Sequence, residues 1–211
     1  MTRESGGSRG RSVRAVGIDD GYFPIECKEL KCRTILAAVL CEGMNPADVA
    51  IEPVTVDGLD GTEAAVRSVS RLVARPDVIF TDGVTIAGFN IIDPEELYEA
   101  ISAPVVVVFK HDLSLARVKA ALKKHFSDWR ARFDVINRVY SASRLVTTPW
   151  REVRISVFGT GLSKALDTLI TLQNTSPLPE PLRLADIIAS GLTRGSPLLY
   201  LLNPSLLGRG G

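Results

Sequence analysis

The sequence predicts an α/β fold: a mixed sheet that opens as a three-strand antiparallel meander, continues through β-α units and carries helices on its faces. Three observations lead there. Three strand-like runs follow one another near the N-terminus without a helical pattern between them. The apolar spacing then becomes helical, with Val66, Val69 and Val73 on one face of Thr62 to Ala74. Pro104 to Phe109 is an almost pure β-branched run, as a buried parallel strand requires.

The elements follow in order. Val13 to Ile18 reads as the first strand, with a second within Thr34 to Cys41 and a third within Val49 to Val56. After the helix at 62–74, Val78 to Thr81 reads as a short buried strand. Asp93-Pro94-Glu95-Glu96 is a helix start, with Asp at the N-cap and Pro at the first helical position. Leu115, Val118, Leu122 and Phe126 share one face of a further helix, and Lys119 and Lys123 fall on another. Val153, Ile155 and Val157 alternate as a strand. Two helices, Gly161 to Leu172 and Leu182 to Leu192, close the pattern. This order is that of ribonuclease-H-like folds, an analogy of fold that settles no function.

The chain has 211 residues, 45% of them hydrophobic and 23% charged, which suits one well-buried domain over residues 13–211. Residues 1–12 read as a disordered basic tail, with Arg3, Arg9 and Arg11. No apolar run reaches membrane-spanning length, and three cysteines without a CxxC spacing read as reduced thiols, so a cytoplasmic protein without disulfides or zinc is expected. The net charge of +1 conceals a split: Asn45 to Ala100 has 11 acidic and 3 basic residues, whereas Lys110 to Arg144 has 9 basic and 3 acidic. One segment could hold cations and the other a polyanion, although solvated helix faces would give the same count.

The chemistry lies in aspartates at strand ends. Asp19 and Asp20 end the first strand, Asp57 and Asp60 follow the third, and Asp82 ends the fourth. Strand ends on one edge of an α/β sheet can converge. Carboxylates that converge repel unless a cation lies between them, and hard oxygen donors select Mg²⁺ or Mn²⁺. A divalent ion so held activates water for phosphodiester hydrolysis.

Gly17-Ile18-Asp19-Asp20-Gly21-Tyr22 resembles the first metal-ligand motif of endonuclease V. Pro76 to Gly83 resembles that family's strand ending in Asp-Gly, Pro104 to Lys110 its next strand ending in lysine, and Leu178 to Asp186 its late proline-bounded helix start. Val56-Asp57-Gly58-Leu59-Asp60-Gly61-Thr62 is closer to the divergent archaeal relatives called endonuclease dU. The resemblance covers about Val13 to Arg194. It implies a ribonuclease-H-like fold and Mg²⁺- or Mn²⁺-dependent cleavage of DNA or RNA near a deaminated base, as in DNA repair. It matches Asp19 and Asp82 to the first and third carboxylates of endonuclease V. Asp60 falls nearest the middle one, a glutamate in that family. The aromatic wedge of endonuclease V has no aromatic counterpart in Ile51 to Val54, and Val84 stands where a histidine follows the Asp-Gly pair.

The expected site is therefore Asp19, Asp60 and Asp82 around the ion, with Lys110 facing the scissile phosphate. Asp60-Gly61-Thr62-Glu63 also fits a capping box, which leaves Asp57 as the replacement ligand. Tyr22, Lys119, Lys123, Lys124 and Arg130 are the expected nucleic-acid contacts. Phe126, Trp129 and Phe133 read as core, with the cations around them in water. Two other readings use the same residues: a nucleic-acid-binding module without catalysis, and a metal-dependent phosphatase acting on a small ester.

Overall fold

The computed structural model describes residues 11–195 and 197–206. Strand β1 (Arg14–Asp20) is followed by a single helical turn α1 (Cys27–Leu30), then by β2 (Arg33–Glu42) and β3 (Asn45–Thr55). β2 pairs antiparallel with both neighbours, so the expected meander is present. Gly43, at φ 62°, makes the tight β2–β3 turn that an L side chain disfavours.

Helix α2 (Gly61–Arg71) leads to β4 (Val78–Asp82), a small hairpin of β5 (Thr85–Ile86) and β6 (Asn90–Ile91), and α3 (Pro94–Ile101). Asp93 caps α3 as its sequence predicts, its carboxylate accepting from the Glu95 amide at 3.0 Å. β7 (Val105–Phe109), α4 (Leu115–His125), α5 (Trp129–Ala142), β8 (Arg144–Thr147) and β9 (Glu152–Phe158) follow. Helices α6 (Leu162–Thr171), α7 (Glu180–Thr193) and α8 (Pro197–Leu202) end the described chain, with a 3-10 turn at Pro204–Leu206. The hairpin, α5 and β8 are additions to the sequence reading. The tail expected over residues 1–12 falls largely outside the described residues; Arg11 pairs with Asp77 at 2.7 Å.

The seven-stranded sheet has the order β3-β2-β1-β4-β7-β9-β8. β1, β4 and β7 run parallel at its centre, so their C-terminal ends share one edge. Side chains alternate between faces with period two. Val16, Ile18, Ile79, Val105 and Val107 join one core, with Ala64, Leu97, Leu122 and Ile136 from α2 to α5. Ala15, Val78, Phe80, Val106 and Val108 join the other, with Leu169 of α6 and Leu182 of α7. Burying β-branched chains on both faces is what makes the central strands continuous apolar runs.

Helix α7 lies directly on β1. A Cβ at Gly17 would stand 2.2 Å from the Leu182 backbone nitrogen, so only glycine permits this approach. The apolar segment at 197–202 covers the domain's own sheet: Leu198 and Leu202 pack on Ile35 and Ala37 of β2.

Candidate active site

The two-residue alternation carries the core pattern into chemistry. Ala15 and Gly17 face α7, and so does Asp19, two residues on. Val78 and Phe80 face the same way, and Asp82 follows them. Val106 and Val108 do likewise, and Lys110 comes next. Three adjacent parallel strands thus deliver Asp19, Asp82 and Lys110 to one face at one edge. Helix α7 crosses that face and adds Asp186, whose charge acts on Asp20, Asp82 and Lys110.

Asp19 is 7% exposed. Its Oδ1 accepts the Asp20 amide at 2.9 Å, whereas its Oδ2 is buried with no hydrogen-bond partner. Burial pushes the Asp19 carboxyl well above the ordinary carboxylate range, and Asp82 and Asp20 push in the same direction. Lys110 makes a salt bridge to Asp82 Oδ2. Even so, burial outweighs Lys110 and leaves Asp82 raised. Burial works against the Lys110 ammonium, but Asp82, Asp19 and Asp186 together raise it. Asp20 lies on the opposite face and accepts the Ala87 amide at 2.8 Å; burial raises it to about 6.

The donor set fits a hard divalent ion. It supplies carboxylate oxygens, an excess of negative charge over the single lysine, and one buried oxygen without a partner. Among the described residues, no three His, Cys, Asp or Glu side chains are gathered tightly enough to hold an ion as they stand. Lys110 supplies the positive charge against Asp82 instead.

Asp60 is elsewhere. It sits at the N-cap of α2 but makes no capping hydrogen bond. Its carboxylate accepts from Thr55 Oγ1 at 2.9 Å, the Thr55 amide at 3.2 Å and Asn90 Nδ2 at 2.6 Å. The capping box gives way because Thr55 and Asn90 hold the carboxylate that would otherwise turn to the Glu63 amide, while Asn90 Oδ1 accepts the Gly61 amide at 2.9 Å. Asp57 is committed too: at φ 55° its Oδ1 accepts the Phe89 amide at 2.7 Å. Neither acts on Asp19 or Asp82 among the largest influences there. Asp186 was missed because one acid within a helix has no marker of its own. Its place in the Leu178 to Asp186 stretch, one residue past buried Ala185, was the available signal.

Beside the acids lies a cavity of about 330 Å³, lined by Asp82, Gly83, Val84, Phe89, Phe109 and Lys110. Val118 of α4 also lines it, and the next residue, Lys119, is exposed. The rings at the end of α4 and in α5 behave as expected, with Phe126, Trp129 and Phe133 packed against the core. Lys123 and Arg130 stand 4.7 and 4.8 Å from the Trp129 ring centre, and Lys119 stands 5.0 Å from that of Phe133. Lys124 is exposed on α4. Arg132 departs from the sequence reading. It is buried, not solvated, and donates to the carbonyls of Gly58 and Asp57 at 2.9 and 3.2 Å. Tyr22 is exposed, with the Arg194 guanidinium 5.1 Å from its ring centre.

Comparison with known proteins adds relatives to this geometry. A family model described as endonuclease dU matches residues 11–193. A protein of Thermococcus gammatolerans named UPF0215 protein is 37% identical over 185 residues, covering 87% of this chain and 93% of its own length. A protein of the same name from Methanothermobacter thermautotrophicus is 38% identical over 187 residues, covering 87% and 89%. Among solved structures, a protein of unknown function from Archaeoglobus fulgidus superposes with a TM-score of 0.73 at 23% identity, covering 85% of this chain and 98% of that one. Endonuclease V of Bacillus subtilis gives 0.58 at 13% identity, covering 83% and 78%. Endonuclease V of Ciona intestinalis, in complex with a DNA containing an inosine, gives 0.56 at 12% identity, covering 84% of both chains. These likenesses show the ribonuclease-H-like fold.

Proposed function

Because the chain belongs to the endonuclease dU family, we propose that it is a divalent-ion-dependent endonuclease. It cuts a nucleic-acid strand at or near a deaminated base, of the deoxyuridine or inosine type, in DNA repair. One observation carries the reading: Asp19, Asp82, Asp186 and Lys110 converge on one sheet face beside a cavity. The inosine-containing DNA bound by the Ciona endonuclease V supports the substrate class.

Asp19, Asp82 and Asp186 are the residues that would hold Mg²⁺ or Mn²⁺, with Asp186 in place of Asp60. When bound, such an ion supplies Lewis acidity that activates water and offsets phosphate charge. Lys110 directs its ammonium at the phosphate as negative charge grows there. The unpartnered Asp19 Oδ2 is the oxygen free to take a new bond. The cavity has room for one nucleobase, and its apolar walls exclude the water that would compete for the base's polar edge. Lys119, Lys123, Lys124 and Arg130 hold phosphates of the strand beyond the site.

The test is a Mn²⁺-dependent cleavage screen over oligonucleotides bearing uracil, hypoxanthine or neither, as DNA and as RNA. Cleavage confined to the modified strands, and lost in Asp82→Ala, is the expected result. A purified protein that cuts none of them overturns the reading.

A further inference from the structure

The loop leaving β1 holds an aromatic ring at the surface on a fixed backbone. The Gly21 amide donates to the Ile35 carbonyl at 2.9 Å, and the Thr34 hydroxyl donates to the Tyr22 carbonyl at 3.1 Å. Gly21 also meets α7 closely: a Cβ there would lie 2.6 Å from Thr193 Oγ1. Thr193 is itself buried, its hydroxyl donating to the Ala189 carbonyl at 2.8 Å. The backbone beneath Tyr22 therefore has little freedom, while the residue is 41% exposed.

Arg194, the residue after the last turn of α7, lies over that ring at 5.1 Å. A tyrosine ring and a guanidinium plane are the two flat groups on which unpaired bases stack. Both belong to the elements that carry the acids. Tyr22 comes three residues after Asp19, and Arg194 comes eight after Asp186, about 12 Å along the helix axis. Neither lines the cavity beside Asp82.

We propose that Tyr22 and Arg194 form a second base site, which stacks an unpaired nucleobase of the substrate strand a few nucleotides from the scissile phosphate. The inference rests on the nuclease reading. The site is indifferent to base identity, since every base offers a π-face. A base paired within a duplex has both faces covered, so the site demands that the strand be open there. It thereby selects single-stranded or locally melted substrate.

The experiment uses a fluorescently labelled single-stranded oligonucleotide carrying one deaminated base. A series of such strands also carries an abasic site at each flanking position in turn. Anisotropy gives the affinity, and cleavage in Mn²⁺ gives the rate. For the wild-type protein, one flanking position should weaken binding about tenfold when made abasic. Tyr22→Ala should lose the same factor on the intact strand and lose its sensitivity to that abasic site. Tyr22→Phe should retain both, and Arg194→Ala should fall between. If Tyr22→Ala binds and cuts the intact strand as the wild type does, or keeps the abasic penalty, the inference is overturned while the nuclease reading stands. If the wild type binds and cuts no oligonucleotide, both fall together.

Discussion

Lys110, just past the end of β7, is salt-bridged to Asp82, at the end of the neighbouring parallel strand β4. The pair joins the cation proposed to face the phosphate to a carboxylate proposed to hold the ion. Lys110→Met frees that carboxylate and removes the charge. Mn²⁺ should then raise the melting temperature more than it does in the wild type, because the ion no longer competes with the ammonium. Cleavage should fall about 100-fold or more. An unchanged response to Mn²⁺ would detach the pair from the ion site.

Asp186 and Asp60 should separate cleanly. Asp186→Asn removes a carboxylate from the site and should lower kcat by about 100-fold or more with little change in stability. Asp60→Ala leaves the Thr55 and Asn90 donors without their acceptor. It should cost about 2–3 kcal/mol of stability and leave kcat of the folded protein intact. Denaturant unfolding and single-turnover cleavage, run side by side, check both.

The acids also set a pH dependence. Burial raises Asp20 to about 6 and holds Asp19 and Asp82 above their ordinary values. A carboxyl raised on folding binds its proton more tightly in the native state, so its stabilisation is complete below the unfolded value near 4 and is lost as pH climbs through the folded value. In EDTA the protein should therefore lose stability between about pH 4 and pH 7, on the order of 3 kcal/mol from Asp20 alone. Mn²⁺ should offset the loss increasingly as pH rises, because ligands must be deprotonated to bind it. Denaturant unfolding in EDTA and in Mn²⁺ across this range measures the gap, and Asp20→Asn should flatten the EDTA curve.

The thiols should be silent in the native state. Burial pushes Cys27 up to about 12, with the Cys32 thiol beside it contributing, and Cys41 up to about 11. All three are free and buried. Alkylation at neutral pH should be slow in the folded protein and complete in guanidinium, read by intact mass. Rapid native labelling of Cys27 would show that the α1 turn opens.

Strand binding should weaken linearly with log salt. Lys119→Ala, Lys123→Ala and Arg130→Ala should each reduce the slope by about 1 if that side chain neutralises a phosphate. Fluorescence anisotropy across a salt series gives the slopes, and three unchanged slopes would return these cations to a purely solvated role.

The fold was legible wherever local pattern and tertiary burial agreed. Val105 to Phe109 is buried on both faces and reads as such, and Asp93-Pro94 caps a helix because the cap is purely local. Asp19, Asp82 and Lys110 were legible for the same reason: strand ends mark themselves. Asp60 was not, because Thr55 and Asn90, the latter thirty residues away, donate to the carboxylate that its capping box would turn to the Glu63 amide. Helix α5 was obscured by its cations, since buried Arg132 occupies a position that polarity assigns to solvent. Asp186 needed α7 to be laid on β1 before its neighbours could be known.

That contact at Gly17 has an implication for how the site can vary. The strand bearing Asp19 and the helix bearing Asp186 touch at a spot with no room for a methyl group. Any larger residue would act as a shim, lifting one acid away from the other while leaving every reactive group chemically intact. The alignment of the centre is thus guarded by a position that contributes no functional group.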